Sequence, residues 1–361
     1  MRDAVANATA RKIRIAFDLM KSRYIVKPMK KLLGLILGGF LSVGVSAEEA
    51  AITFATDWKA QAEHGGFYQA LAKGYYAKRG LKVTVRPGGP QTDNPRLMAA
   101  GALDIAIASN NFQPLNLVAA GADVKVVMTT FQKDPQVLMV HPEVDASGFA
   151  DLKGMPIFLA DSALATFWPW LKTKFGYEDR QIRKYTYSLA PWLVNKGTVQ
   201  EGYLSSEPYS AEKVGVKPKV FLFADEGYLG YAGMVMVRGA FLEKNKDIVQ
   251  AFVDASLEGW KDYLWGDPSA GNALILADNP EMTEELIAFA IRSMKAHKML
   301  GTAEELGTMK AKRWIDFHRE MADLGLLPLD LDPRKAFTLE FLPHNLLHIS
   351  PHNSLYNSLG R

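Results

Sequence analysis

Short apolar runs alternate with segments of helical spacing from Ala51 onward, and this alternation limits the possible folds more than any other feature of the chain. AITFA (51–55) reads as a strand. Phe67 to Lys78 reads as a helix with Tyr68, Leu71 and Tyr75 near one face, closed by Gly80. LKVTVRP then alternates as a strand, Asn94 to Ala100 is a short helix ending at Gly101, and LDIAIA (103–108) and VKVVMTT (124–130) are buried strands. VLMVH (137–141) reads as a strand leaving this unit, and PIFLA (156–160) as one entering a second unit. A helix there ends near Phe175, with Pro169 in its first turn, and Val199 to Tyr209 is a strand running into a polar loop. MVMV (234–237) starts the return, followed by helices over Asn245–Leu264, Glu281–Lys298 and Thr302–Leu324, the second capped by Asn279 and Pro280.

Strand–helix alternation of this kind builds an α/β fold with largely parallel sheets. The expected architecture is bilobal, with residues 48–140 and 233–361 in one lobe and 141–232 in the other. Two chain crossings would form a hinge with a cleft between the lobes.

The N-terminal region has a different character. Met29 opens MKKLLGLILGGFLSVGVSAEEA: two lysines, an apolar stretch from Leu32 to Val45, then Val45-Ser46-Ala47 before Glu48. That is the plan of a secretory signal peptide over 29–47, and residues 1–28 read as a mis-assigned extension. The whole chain carries 42 Lys/Arg and 39 Asp/Glu; the first 47 residues hold nine of the former and two of the latter. The remainder thus has 33 basic and 37 acidic residues, a net charge near −4, so the basic balance belongs to the leader and no nucleic-acid footprint remains. With no cysteine, disulfides, thiolate chemistry, Cys-ligated metals and a lipoprotein anchor are all excluded.

Candidate ligand contacts cluster where strands end, because ligands of open α/β sheets bind beyond the carboxyl ends of the strands. Asp57 and Trp58 follow the first strand: a carboxylate to accept N–H groups and an indole to stack on a flat ring, or else a turn cap and a loop-packing residue. His64, Gly65 and Gly66 open the next helix, where N–H groups favour an anionic end, or else they form a solvent-exposed N-cap region. Ser109 and Asn110 follow LDIAIA, and Asp161 and Ser162 follow PIFLA; in both places a helix cap and a ligand contact use the same residue types. Glu207 and Tyr209 lie in SSEPY, where Pro208 restricts the backbone at the glutamate; this is either a strand-terminal acceptor for a cationic or N–H-bearing ligand or a surface turn. Tyr228 and Tyr231 form either a stacking wall or part of the hinge. Phe167, Trp168 and Trp170 read as core or as cleft lining. His344, His348 and His352 repeat every four residues, but Pro351 breaks the helix that a metal site would need, so no metal or cofactor is expected. No P-loop, nucleophile elbow or dinucleotide fingerprint is present.

In order and spacing the chain resembles the periplasmic solute-binding proteins of ABC importers, of the nitrate/sulfonate/taurine and thiamine-pyrimidine-precursor kind. DW…HGGFYQALAKGYYAKRGL resembles that family's first strand and helix, MAAGALDIAIAS its small-residue helix end and buried strand, and DLKGMPIFLA its entry to the second lobe. QEGYLSSEPY is similar to its GY-x-x-x-EP motif, and FVDASLEGWKDYLWGDP and KAFTLEFLP to its C-terminal helices. The resemblance implies a type II periplasmic-binding-protein-like fold, a small-molecule ligand, and permease and ATPase partners. A fungal pyrimidine synthase belongs to the same family and resembles this chain at DWK and His64. It differs in a histidine not matched at Asn110, Asn111 or Phe112, in a cysteine-rich run, and in not being exported.

The expected function is therefore that of a non-enzymatic periplasmic receptor that closes on a small heterocycle, such as a thiamine pyrimidine precursor. The alternatives are a pyrimidine synthase-like enzyme and a sulfonate, taurine or nitrate receptor.

Overall fold

The computed structural model describes residues Glu49 to Leu342. The leader, the preceding segment and the three C-terminal histidines lie outside the described residues. Two five-stranded sheets organise the rest.

The first sheet has the order β2-β1-β3-β10-β4, built from β1 (Ala50–Ala55), β2 (Leu81–Arg86), β3 (Ile105–Asn110), β4 (Val124–Phe131) and β10 (Ala232–Arg238). The second has the order β7-β6-β8-β5-β9, from β5 (Gln136–Val140), β6 (Ile157–Leu159), β7 (Ile182–Lys184), β8 (Val199–Tyr203) and β9 (Lys219–Leu222). Parallel pairs dominate one side of each sheet: β1 with β2 and β3, and β6 with β7 and β8. The sheets are mixed rather than largely parallel. β10 runs antiparallel to β3 and β4, and β5 antiparallel to β8 and β9. Each of these two is the strand with which the chain enters a sheet after a crossing.

β5 belongs to the second sheet, so the first crossing lies between Phe131 and Gln136 and not after Val140. A buried apolar strand reads the same in either lobe, and sequence alone does not assign its sheet. The chain returns through the segment between the short 3₁₀ turn Phe223–Glu226 and Ala232.

The helix after β1 is shorter than its pattern suggests. It spans Gly65–Ala72 and is broken by Gly74 in the left-handed region (φ 69°), before a 3₁₀ turn over Ala77–Arg79. It packs tightly against the long helix Lys246–Trp265. A Cβ on Gly66 would fall 2.1 Å from the Trp260 ring, and one on Gly259 2.2 Å from the Gly66 carbonyl oxygen. Phe54 of β1 meets Phe67 and Phe252 at 4.7 and 5.0 Å between ring centroids, which ties both helices to the sheet.

Two C-terminal helices also differ from their expected bounds. One starts at Glu284, capped by the Thr283 hydroxyl accepting from Leu286 N–H (3.2 Å). Asn279 instead ends the helix Ser269–Asp278 and donates to the Ala60 carbonyl (2.8 Å). The last long helix is Ala311–Asp323, and it packs behind the hinge. Phe317 there touches Phe112 of the first lobe (5.3 Å) and Tyr228 of the returning segment (6.0 Å), while Glu320 accepts from the Trp170 indole of the second lobe (2.9 Å).

Arg313 of that helix joins both crossings. Its guanidinium donates to the carbonyls of Gln132 (2.6 Å), Leu229 (2.7 Å) and Gly230 (2.8 Å), and it lies 4.0 Å from the Tyr231 ring centroid. Among the described residues no helix is long and apolar enough to cross a membrane.

Candidate functional site

A cavity of about 220 Å³ opens between the two sheets, at the carboxyl ends of their parallel strands. From the first lobe it takes Asp57, Trp58, Gln61, Glu63 and His64 after β1, Ser109, Asn110 and Gln113 at the end of β3, and Phe131, Ala232 and Gly233. From the second it takes Pro135 and Gln136 at the start of β5, Ala160, Ser162, Thr166 and Phe167 beyond β6, and Tyr185 and Tyr187 beyond β7. Glu201, Gly202 and Tyr203 of β8, with Ser206 and Glu207 after it, complete that wall.

The segment bearing Asp57 and Trp58 is fixed by backbone contacts. The Thr56 hydroxyl (2.8 Å) and Gly88 N–H (3.0 Å) both donate to the Trp58 carbonyl. Buried Asn94 donates to the carbonyls of Thr56 and Ile107 (both 3.1 Å), locking the end of β1 to β3. Gly88 must be glycine for this loop to pass, since a Cβ there would fall 2.6 Å from the Thr56 oxygen. Asp57 Oδ1 then lies 3.0 Å from His64 Nε2. Burial pushes the Asp57 carboxyl up, but the hydrogen bond and charge of His64, with the Ser109 hydroxyl, bring it below the usual carboxylate range.

The second-lobe wall is built by β8 and the helix Glu207–Lys213 that follows it. Glu207 folds back over Gly202 and accepts from Tyr203 N–H (2.7 Å) and from the Tyr185 hydroxyl (3.2 Å). A side chain at position 202 would collide with it, its Cβ falling 2.7 Å from the Glu207 Cβ, which accounts for the glycine of the GY pair. Glu201 accepts from Ala160 N–H (2.6 Å). Burial pushes Glu201 up to about 8, and burial also raises Glu207 and Glu63.

The lobes meet along one edge of the cavity. The Ser205 hydroxyl donates to Glu63, the Ser293 hydroxyl donates to the Leu204 carbonyl (3.2 Å), and Tyr209 packs on Phe289 at 5.1 Å between centroids. At another edge Trp58 meets Tyr187 at 4.9 Å, with Tyr185 behind it at 5.3 Å. Tyr187 has a φ of 62°; among the described non-glycine residues only it and Lys298 have positive φ. A bulky residue held in that region stores strain, and such residues concentrate at ligand clamps. Two buried polar atoms of the lining have no hydrogen-bond partner among the described residues, His64 Nδ1 and Gln136 Oε1.

Of the residues singled out from the sequence, the structure brings Asp57, Trp58, His64, Ser109, Asn110, Ser162 and Glu207 to the cavity wall. The other five lie elsewhere. Gly65 is turned toward the Tyr263 ring, where its missing side chain permits helix packing. Asp161 is exposed and pairs with Lys184 (3.1 Å). Tyr209 is taken up by the contact with Phe289. Tyr228 is buried against Trp170 and Phe317, and Tyr231 lies under Arg313, its hydroxyl accepting from Lys310 N–H (3.0 Å). Phe167 reaches the lining, whereas Trp168 and Trp170 are core.

Sequence reasoning missed Glu201, Tyr203, Tyr185, Tyr187, Glu63 and Gln136. A signal existed for one pair: period-2 alternation along QEGY puts Glu201 and Tyr203 on one strand face. Among the described residues no group of three or more metal-ligating side chains is assembled.

Comparison with known proteins identifies the family and the fold. The family model described as NMT1/THI5 like matches residues 61–270. A riboflavin-binding protein, RibY of Chloroflexus aurantiacus, is 26% identical over 309 residues, covering 81% of this chain and 86% of its own. A formylaminopyrimidine-binding protein of Halalkalibacterium halodurans is 26% identical over 281 residues, covering 73% and 83%. Among solved structures, the periplasmic aliphatic sulphonate-binding protein SsuA of Escherichia coli superposes with a TM-score of 0.61 at 17% identity, covering 81% of this chain and 92% of that one. The desulfurization enzyme DszB has a TM-score of 0.53 at 14% identity, covering 81% of this chain and 97% of that one. The fold is thus the bilobal periplasmic-binding-protein fold expected from the sequence, and it is shared by receptors and by at least one enzyme.

Proposed function

The chain belongs to the NMT1/THI5-like family, and from that premise we propose that it is the solute-binding component of an ABC importer, exported to the periplasm, capturing a small planar heterocycle by closure of its two lobes. The observation that carries this reading is the composition of the cavity wall: aromatic side chains from both lobes, Trp58 against Tyr187, with carboxylates of both lobes beside them. A flat ring stacks on the former, and the carboxylates accept from its ring and exocyclic N–H groups. Glu207 is anchored by Tyr203 N–H and the Tyr185 hydroxyl, so it presents a fixed acceptor. The named ligands of the two curated relatives, riboflavin and formylaminopyrimidine, are both planar nitrogen heterocycles, which supports this ligand class. A thiamine pyrimidine precursor is one member of it.

Capture works by differential affinity: a solute that contacts both walls stabilises the closed arrangement and nothing else. The permease and ATPase partners follow from the same reading, since a receptor of this kind delivers its solute to a membrane complex. Both curated relatives are binding proteins, and this favours a receptor over the synthase-like alternative.

A thermal-shift screen of the purified chain against aminopyrimidines, flavins, taurine, alkylsulfonates and nitrate tests the proposal. A ligand at about 100 times its Kd adds about 2.7 kcal/mol to stability. Stabilisation by a planar heterocycle, lost in Trp58→Ala and Glu207→Gln, is the expected result. Stabilisation by the small oxyanions alone would remove the heterocycle from the proposal.

A further inference from the structure

The receptor reading leaves one property of the cavity without a role, namely its charge. Four carboxylates reach the wall, Asp57, Glu63, Glu201 and Glu207, and among the described residues no lysine or arginine does. His64 is the one basic ring in the lining, and it is engaged with Asp57 at 3.0 Å. Glu63 accepts from Ser205, and Glu207 uses both oxygens on Tyr203 N–H and the Tyr185 hydroxyl. Glu201 differs from the others. Only 6% exposed, it accepts one hydrogen bond among the described residues, from Ala160 N–H through Oε2. The groups that face it are the Glu207 carboxylate and the phenols of Tyr185, Tyr187 and Tyr203; none is positive.

We propose that the solute is held as a cation, a positively charged planar heterocycle whose charge is set against Glu201 and Glu207 inside the aromatic rim of Trp58, Tyr185 and Tyr187. The proposal rests on the receptor reading and narrows its ligand. Buried carboxylates without a cationic partner are costly, and a ligand that brings the missing charge recovers that cost on binding. Aromatic faces add attraction for a cation. An anion would be placed among four carboxylates with no basic partner beyond a histidine already paired. Burial pushes Glu201 up to about 8, which favours its protonated form at neutral pH before a solute binds. A cation displaces that proton, so binding releases it to solvent. Affinity then rises with pH toward about 8 and levels off above it. A neutral ligand accepting a hydrogen bond from protonated Glu201 would show the opposite trend, weakening as Glu201 ionises.

The test uses the full chain and one ring set matched in shape and differing in charge: cationic 1-methylnicotinamide with neutral nicotinamide and anionic nicotinate. Thermal shift ranks them, and calorimetry in buffers of different ionisation enthalpy counts protons. The expected result is a preference of roughly tenfold or more for the cationic member, proton release near neutral pH, and affinity rising with pH. Glu201→Gln, which keeps an acceptor for Ala160 N–H, should erase the preference and flatten the pH profile, while Glu143→Gln on the exposed surface keeps both. Equal binding of neutral and cationic members, preference for nicotinate, or affinity falling with pH would overturn the cation and leave the receptor reading in place. If no ring of any charge stabilises the protein, the heterocycle reading on which the cation rests fails with it.

Discussion

Arg313 is the side chain whose loss should most disturb the hinge without touching the cavity. Its guanidinium donates to three crossing carbonyls, of Gln132 on the outward crossing and of Leu229 and Gly230 on the return, at 2.6 to 2.8 Å. Hydrogen bonds from a charged donor are worth about 1.5–3 kcal/mol each. The face of Tyr231, 4.0 Å away, adds roughly 0.5–2 kcal/mol. These contributions are not additive, and Arg313 is only half-buried, so part of its desolvation cost is already spared. Arg313→Met keeps the aliphatic stem, removes the fork and leaves the three carbonyls short of donors. The expected loss is about 2–4 kcal/mol in urea unfolding. Arg313→Lys separates geometry from charge: an ammonium remains near buried Asp134 but cannot span three carbonyls, so it should recover less than half of the loss. A methionine variant within about 0.5 kcal/mol of wild type, or a lysine variant equal to wild type, would refute the clamp. The functional corollary is weaker solute binding in Arg313→Met, since freed crossings favour the open arrangement.

Three further outcomes follow from the same structure. Gly259→Ala places a Cβ 2.2 Å from the Gly66 oxygen and 2.6 Å from the Ala70 Cβ, and should cost about 2–4 kcal/mol, read as a fall in Tm. Ser293→Ala combined with Phe289→Ala removes the contacts to Leu204 and Tyr209, and should shift the unliganded protein toward open states. Spin labels on Lys82→Cys and Lys196→Cys, in a chain with no native cysteine, would report this as a longer interlobe distance; an unchanged distribution would count against the latch. Burial raises Glu201 from 4.5 to about 8 and Asp134 from 3.8 to about 7. The folded state therefore keeps protons that the unfolded state has released, so Tm should fall as pH rises from about 4 to about 8, and Glu201→Gln with Asp134→Asn should flatten that slope.

The fold was legible because its signal is local: apolar runs such as AITFA and LDIAIA mark buried strands, and the helices between them follow from spacing. What sequence could not supply was the assignment of VLMVH to the second sheet, because an apolar strand carries no label for its neighbour. The strand-end rule located Asp57, Trp58, Ser109, Asn110 and Ser162, since chain direction alone places those positions at the cleft. It failed for Tyr185 and Tyr187, which follow β7, a strand of only three residues whose two exposed basic positions hide its pattern. Aromatic residues misled in the other direction: Tyr228 and Tyr231 look like stacking residues but serve the packing behind the hinge, where Arg313 and Phe317 reach them. The glycines of HGG misled for a similar reason. Close approach is what they provide, but to Tyr263 and Trp260 and not to a ligand.

The central claim is that one solute is gripped by both lobes at once, and amide hydrogen exchange tests it most directly. The full chain would be measured with and without a saturating planar heterocycle identified by thermal shift. Concurrent protection of the segment from Asp57 to His64 and of the segments around Tyr187 and from Glu201 to Glu207, at the same ligand concentration, is the predicted result. Protection confined to one lobe, or located away from the cavity, would contradict it.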